Sequence, residues 1–407
     1  MAYRAAGGVV GVYRANEYEQ GRLTDSAAFD AQPAFMRHVT PRASRDSNVQ
    51  SPSSLLTPLV YIQVAHTNTD QHDVCPPSMQ IDVASHAHPT DIFSLAVTPT
   101  HLLSASGSSS LRVHSTKGQV IHADTPDDEH PYPLVQTLEK VHPLGCHHIC
   151  TSLDGKVAAS AGFSGEVKVW QCDDEGVWSQ KGEIRPDEKK AGEHWALALS
   201  ENGKYLACTT HDGRINVYDT SGFDPASADG GQARKFTEFE TKGSFGMSVD
   251  ISADGSMTAS GHQNGGVYIF NNSTQRLAHS LNGLIKPVRA VKFSPAGRYL
   301  AAAGDARIIA LYDTRSGEQI ANLPGHGSWI MSVDWNWSGE YLLSGGYDGK
   351  VKVWSMERRE CVATQTESEK CLWAVKWLPK SASARNETFV TGGAGKTLAF
   401  YREASGT

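Results

Sequence analysis

No stretch of this 407-residue chain reaches the ~18 consecutive apolar residues that a membrane helix requires. The N-terminus has no continuous apolar core of the kind a secretory signal needs, and Arg4 and Arg14 are soon followed by Glu17 and Glu19, which argues against a transit peptide. Cysteine is sparse. The seven cysteines are odd in number and scattered singly, which predicts a reducing, cytoplasmic setting and leaves a nuclear pool open. The Asn-x-Ser/Thr triplets at Asn272 and Asn386 then carry no meaning for glycosylation. Lysine is missing altogether from the first 78 residues, which hold six arginines against seven acidic residues. That segment is rich in Ser, Thr, Pro and Ala and has no repeat, so its composition predicts a disordered N-terminal extension over residues 1–78.

Catalytic signatures are lacking too. There is no paired-carboxylate motif, no Gly-rich nucleotide fingerprint and no metal-ligand framework, so no enzyme activity, cofactor or metal is expected. The net charge is −7, and without a basic stripe the chain has no means of neutralising phosphates, which argues against direct nucleic-acid binding. Three segments imitate sites. Gly395, Lys396 and Thr397 look like the end of a phosphate loop, but the matching position holds Val390 and a strand is expected where a helix should follow. Cys146, His147, His148 and Cys150 are metal-type residues without a matching pair elsewhere. Ser344, His326 and Asp348 are the residue types of a hydrolase triad, yet the serine falls midway along a predicted buried strand.

What the chain does have is repetition. Residues 290–300 (AVKFSPAGRYL) and 332–342 (SVDWNWSGEYL) read as one pattern, and each leads to a short strand ending in an aromatic residue, Tyr312 or Trp354. Seven copies can be traced, closing at His114, Trp170, Tyr218, Phe270, Tyr312, Trp354 and Tyr401, at steps of 42 to 56 residues. That period fits a four-stranded propeller blade. Turn pairs such as Asp154-Gly155 and Asn202-Gly203 precede the second strand, and Ser164-Gly165, Asp212-Gly213, Asn264-Gly265 and Asp348-Gly349 precede the third. Period-two alternation dominates, and no long stretch shows helical periodicity.

These units resemble WD40 repeats over residues 79–407. The expected fold is therefore all-β: a single seven-bladed WD40 β-propeller, with residues 80–85 supplying the outer strand of the last blade so that the two chain ends close the ring. On this reading Met79 lies near the functional start, and residues 1–78 are a lineage extension or a gene-model artefact. Copy six matches the pattern most fully. The resemblance implies a structural hydrogen-bonded tetrad of His326, Ser344, Asp348 and Trp354, which copy six alone holds in full.

Loops that precede the first strand of each blade gather at one mouth of a propeller channel. Here they include Phe93, His147, His148, Trp195, Phe245, Met247, Arg289, Trp329, Met331, Leu372 and Trp373. Aromatic residues, Met and Arg are the types enriched at protein-interaction hot spots, although single members of such a set also serve as packing residues. Four segments, at 88–94 (HPTDIFS), 194–197 (HWAL), 245–252 (FGMSVDIS) and 328–333 (SWIMSV), together with the ending at 400–404 (FYREA), resemble the WD-repeat subunits of superkiller complexes. That resemblance implies a non-catalytic scaffold for tetratricopeptide-repeat and helicase subunits in cytoplasmic, exosome-mediated 3′-to-5′ mRNA decay. In fungi it also implies association with the meiotic recombination endonuclease. A generic adaptor or ubiquitin-ligase substrate receptor is the competing class, but residues 1–78 show no recruitment motif. The long connections at 115–141, 171–193 and 220–242 read as solvated excursions.

Overall fold

The computed structural model describes residues 78–84, 87–117, 131–185, 194–223, 233–380 and 386–403. The expected extension lies outside these residues save for Ser78, as does most of the polar insertion between Lys380 and Thr388. The described residues form 28 strands and one short 3-10 turn, Thr220–Gly222. The strands make seven four-stranded antiparallel sheets, as expected. Six sheets use four consecutive strands. The seventh takes Leu372–Trp377, Thr388–Gly393 and Leu398–Glu403 from the C-terminal end and Ser78–Ala84 from the N-terminal side. Ser78 pairs with Glu403 and Ala84 with Leu398, so the closing strand begins slightly earlier than the 80–85 read from sequence.

The packing explains the circle. Among the described residues there are seven hydrophobic clusters, one between each pair of adjacent sheets. The last of these joins Leu398, Phe400 and Val390 of blade seven to Ile92, Leu95 and Leu102 of blade one, which closes the ring. Every blade is thus buried on both faces, and alternate residues of one strand serve opposite neighbours. In Tyr299–Gly304, Leu300 and Ala302 pack towards blade four while Ala301 and Ala303 pack towards blade six. Second strands are therefore buried along nearly their whole length, Val157–Gly162 at every position and Tyr299–Gly304 at all but the first.

The closing aromatics sit in the third strand of each blade, opposite a residue of the second: Trp354 faces Leu342 and Trp170 faces Ala158. The turn before Trp354 depends on Gly349, whose φ of 67° is left-handed and whose Cβ would run into the Ser368 carbonyl. The long connections correct the sequence reading. Each contains its blade's outermost strand, Leu134–Leu138, Trp178–Ile184 or Arg234–Phe239, and Trp178 is buried. Polar composition hid these strands because one face of an outer strand meets solvent.

A candidate protein-interaction rim

One distortion recurs in all seven blades and sets the site. Where the innermost strand meets the second, the ladder slips by one residue, and the residue left unpaired is Phe93, His147, Met247, Arg289, Met331 or Trp373. In blade three the bulge holds Trp195 together with Ala196, whose N–H instead donates to Thr209 Oγ1 at 2.9 Å. A bulge bends its strand and re-aims the extra side chain. Seven bulges at one end of seven radial sheets present seven side chains around the channel mouth. These candidates therefore belong to strands, where the sequence reading had placed them on loops.

Phe245 and Trp329 stand directly before the innermost strands Gly246–Ile251 and Ile330–Trp335. Their carbonyls accept the N–H groups of Gln263 and Tyr347 at 2.9 and 2.7 Å, which fixes them against the turn between the second and third strands. That turn supplies residues the sequence reading missed. Phe163, His211 and Tyr347 each precede an x-Gly turn pair, at Ser164-Gly165, Asp212-Gly213 and Asp348-Gly349. The signal was available one residue upstream of turns already recognised.

The two series interleave into a belt. His211 meets Phe245 at 5.2 Å between ring centres, Phe245 meets Trp195 at 5.3 Å, and Trp195 stacks on His147 at 4.2 Å. Phe163 bridges His147 and Phe93 at 5.0 and 5.5 Å, Phe93 meets Trp373 at 5.6 Å, and Tyr347 joins Trp373 to Trp329 at 6.2 and 5.5 Å. The Arg289 guanidinium then lies 4.7 Å over the Trp329 ring, a cation–π contact. Its position is held by Asp305, with Nη2 and Oδ2 3.1 Å apart. Trp373 Nε1 donates to Asp91 Oδ2 at 3.2 Å. Offset and edge-on ring contacts of this kind lock side chains in place and so lower the entropic cost of binding.

The members differ in exposure. Phe93, Phe163, Trp195, Phe245, Met247, Trp329, Met331 and Trp373 are half-buried, Tyr347 is 39% exposed, and His147 and Arg289 are buried. Leu372 is 2% exposed and belongs to the cluster between blades six and seven, so it is a core residue. Burial holds the imidazole of His147 down at about 3 and that of His148 at about 4, so both rings are neutral near pH 7. The same burial pushes the Cys146 and Cys150 thiols up to about 12, which leaves them as thiols in the core. Lys396 lies in the turn between Thr388–Gly393 and Leu398–Glu403, with no helix after it.

In blade six the structure links His326 Nδ1 to both Asp348 oxygens at 3.1 Å, His326 Nε2 to Ser344 Oγ at 2.8 Å, and Trp354 Nε1 to the same Oγ at 2.8 Å. Ser344 is fully buried, so the chain of bonds is closed to any substrate. Blade six is not alone in holding such a set. In blade two, His142 bonds Glu166 Oε1 at 2.8 Å and Ser160 Oγ at 2.9 Å, and Trp170 Nε1 donates to Ser160 Oγ at 2.9 Å. Here the carboxylate comes from two positions after the expected aspartate, where Ser164 stands, and the longer glutamate arm makes up the distance. Burial alone would raise these carboxyls, but hydrogen bonds from His142 and Ser164 hold Glu166 at about 2, and the contact with His326 does the same for Asp348.

Comparison with known proteins agrees with this geometry. The family described as "WD domain, G-beta repeat" matches residues 191–219, 275–313 and 317–355. The chain is 37% identical over 323 residues to the meiotic recombination protein rec14 of Schizosaccharomyces pombe, an alignment covering 79% of this chain and 96% of that protein. It is 29% identical over 331 residues to the antiviral protein SKI8 of Saccharomyces cerevisiae, covering 69% of this chain and 80% of that one. A WD repeat-containing protein of Schistosoma mansoni, SL1-17, is 28% identical over 180 residues, or 44% of this chain and 54% of its own. With near-complete coverage of rec14 and seven blades built on the repeat, the chain belongs to the WD40-repeat family of β-propellers, generally non-catalytic scaffolds, and is a homologue of both rec14 and SKI8.

Proposed function

We propose that this propeller is a scaffold that holds segments of other proteins against its bulge-built aromatic rim, as the WD-repeat subunit of a superkiller complex. In that role it supports tetratricopeptide-repeat and helicase subunits of a cytoplasmic assembly that feeds mRNA to the exosome. The observation that carries the binding role is the belt itself: ring contacts link rim residues contributed by blade after blade, beside the bulge that each innermost strand carries. Tryptophan, tyrosine and arginine in fixed positions are what hot spots are made of.

A second reading draws on a separate observation. Identity to rec14, named for meiotic recombination, is 37% against 29% for SKI8, which favours a meiotic role, in the nucleus, beside the double-strand-break endonuclease. One rigid face can serve both by taking short peptide segments from different partners. Affinity purification with mass spectrometry from vegetative and meiotic cells distinguishes the readings. Helicase and tetratricopeptide subunits in both cell types support the decay role, and the endonuclease in meiotic cells alone supports the second. Cullin components in their place would return the chain to the generic adaptor class.

A further inference from the structure

Blade one repeats the pattern of the two tetrads without their negative charge. His88 Nε2 lies 2.8 Å from Ser104 Oγ, as His326 Nε2 lies from Ser344 Oγ. Ser104 pairs with Arg112 as Ser344 pairs with Lys352 and Ser160 with Lys168, so the turns that follow these three serines share one register. In that register blade six places Asp348, and blade two places Glu166 two positions later. Blade one has Ser108 and Ser110 at those two places. The groups that a carboxylate would meet are there and unmet. His142, His194, His262 and His326 hydrogen-bond through both ring nitrogens, whereas His88, 1% exposed, has no partner at Nδ1. Nδ1 is the atom by which His142 and His326 hold their carboxylates. Arg112 Nη1 donates to the Ala87 carbonyl, but its buried Nε has no partner, and neither has Thr90 Oγ1 beside Gly107 of the turn. Among the described residues no carboxylate pairs with Arg112. A guanidinium and an imidazole that each keep a buried nitrogen unmet suit an anion. Ser108 stands at the centre of the turn, its Oγ 2.7 Å from Ser106 Oγ and 3.0 Å from Ser110 Oγ. Ser106 and Ser110 are buried, and Ser108 alone of the three is open to solvent.

We propose that Ser108 is a phosphorylation site, its phosphate taking the place in blade one that the Asp348 carboxylate holds in blade six. A serine kinase supplies the group from a nucleoside triphosphate. Ser108 Oγ attacks the γ-phosphorus, the new P–O bond forms as the bond to the β-phosphate oxygen breaks, the nucleoside diphosphate leaves, and the hydroxyl proton passes to the kinase's base. The phosphate brings a charge of about −1.5 to −2 at pH 7 and three acceptor oxygens, which match the His88 N–H and the Arg112 guanidinium. Gly107, the preceding residue of the turn, lies against Phe93, so the charge arrives beside the rim.

The test has two arms, both on the full chain. In the first, the chain is purified from its own cells under phosphatase inhibition, and fragment-ion mass spectrometry places any phosphate within the turn. Phosphate at Ser108 is expected, removable by phosphatase and missing from Ser108→Ala. In the second, Ser108→Asp supplies the carboxylate of blade six and is compared with wild type and with Ser108→Asn, which has the same shape and no charge. Denaturant titration should show Ser108→Asp raising the folding equilibrium constant about tenfold, as a charge-assisted hydrogen bond to a buried donor does, and Ser108→Asn giving no such gain. In an Arg112→Gln background most of the gain should vanish, because its partner has gone. A turn without phosphate, or phosphate confined to Ser109 or Ser110, would overturn the proposal. So would a Ser108→Asp chain no more stable than wild type, or a gain that Ser108→Asn reproduces or Arg112→Gln leaves whole.

Discussion

At the scale of single residues, the serines at the centre of the two tetrads carry an unusual burden. Ser344 Oγ satisfies both His326 and Trp354, and Ser160 Oγ satisfies both His142 and Trp170. Ser344→Ala leaves two buried polar groups unmet, and each such group costs about 1–3 kcal/mol. We expect Ser344→Ala and Ser160→Ala each to lower stability by at least about 1–3 kcal/mol in denaturant titration, and to combine additively because the two sets share no partner. The first of these sets is the one that the resemblance to WD40 repeats implies. The second stayed hidden because pattern matching asks for an aspartate at the turn, whereas blade two moves the charge to Glu166 and keeps the bond. Histidines set the pH response. His88 and His147 are held at about 3 and His148 at about 4, chiefly by burial. Unfolding returns them to about 6.5, so between those values the unfolded chain binds more protons. The stability tied to the neutral rings is whole above pH 6.5 and is lost as pH falls towards 4 and 3. Melting midpoints should fall from pH 7.5 to 5.0, and His147→Phe, which keeps a ring against Trp195, should fall less steeply. A midpoint that is flat over that range contradicts the assignment of neutral buried imidazoles.

At the scale of elements, the strand Ser78–Ala84 and the seven bulges do the most. The strand covers the edge of Leu398–Glu403, which would otherwise offer unpaired N–H and C=O groups to other chains. A chain beginning at Met79 should melt cooperatively near the full-length midpoint. One beginning at residue 86 should melt at least about 10 °C lower or aggregate, as circular dichroism and light scattering will show. The closing strand was legible because residues 79–85 alternate and the last copy ran short of a fourth strand. The bulges were not. A register slip leaves no mark in composition, so Phe93, Met247 and Met331 read as loop residues although each lies inside a strand. Outer strands such as Trp178–Ile184 escaped for a related reason, since their exposed faces are as polar as loops.

At the scale of the whole molecule, seven sheets buried on both faces make a rigid ring, and their shared irregularity gathers the aromatic belt at one mouth. Circular closure and blade number could be read from the 42- to 56-residue steps, since each blade must bury two faces against neighbours. The belt was legible as a set of residue types, but the order of contacts, and the places of Phe163, His211 and Tyr347 in it, depend on geometry between blades. Because Trp195, Trp329 and Trp373 are only half-buried, truncating any one should cost stability modestly, about 1–2 kcal/mol, below the range for a fully buried tryptophan. The measurement that bears most directly on the binding role is quantitative affinity capture by wild type and by Trp195→Ala, Trp329→Ala and Trp373→Ala, with each variant's melting midpoint recorded alongside. Partner proteins should be lost from all three while cooperative melting persists. Full partner recovery by correctly folded variants would show that the rim is packing and that recognition lies elsewhere on the ring.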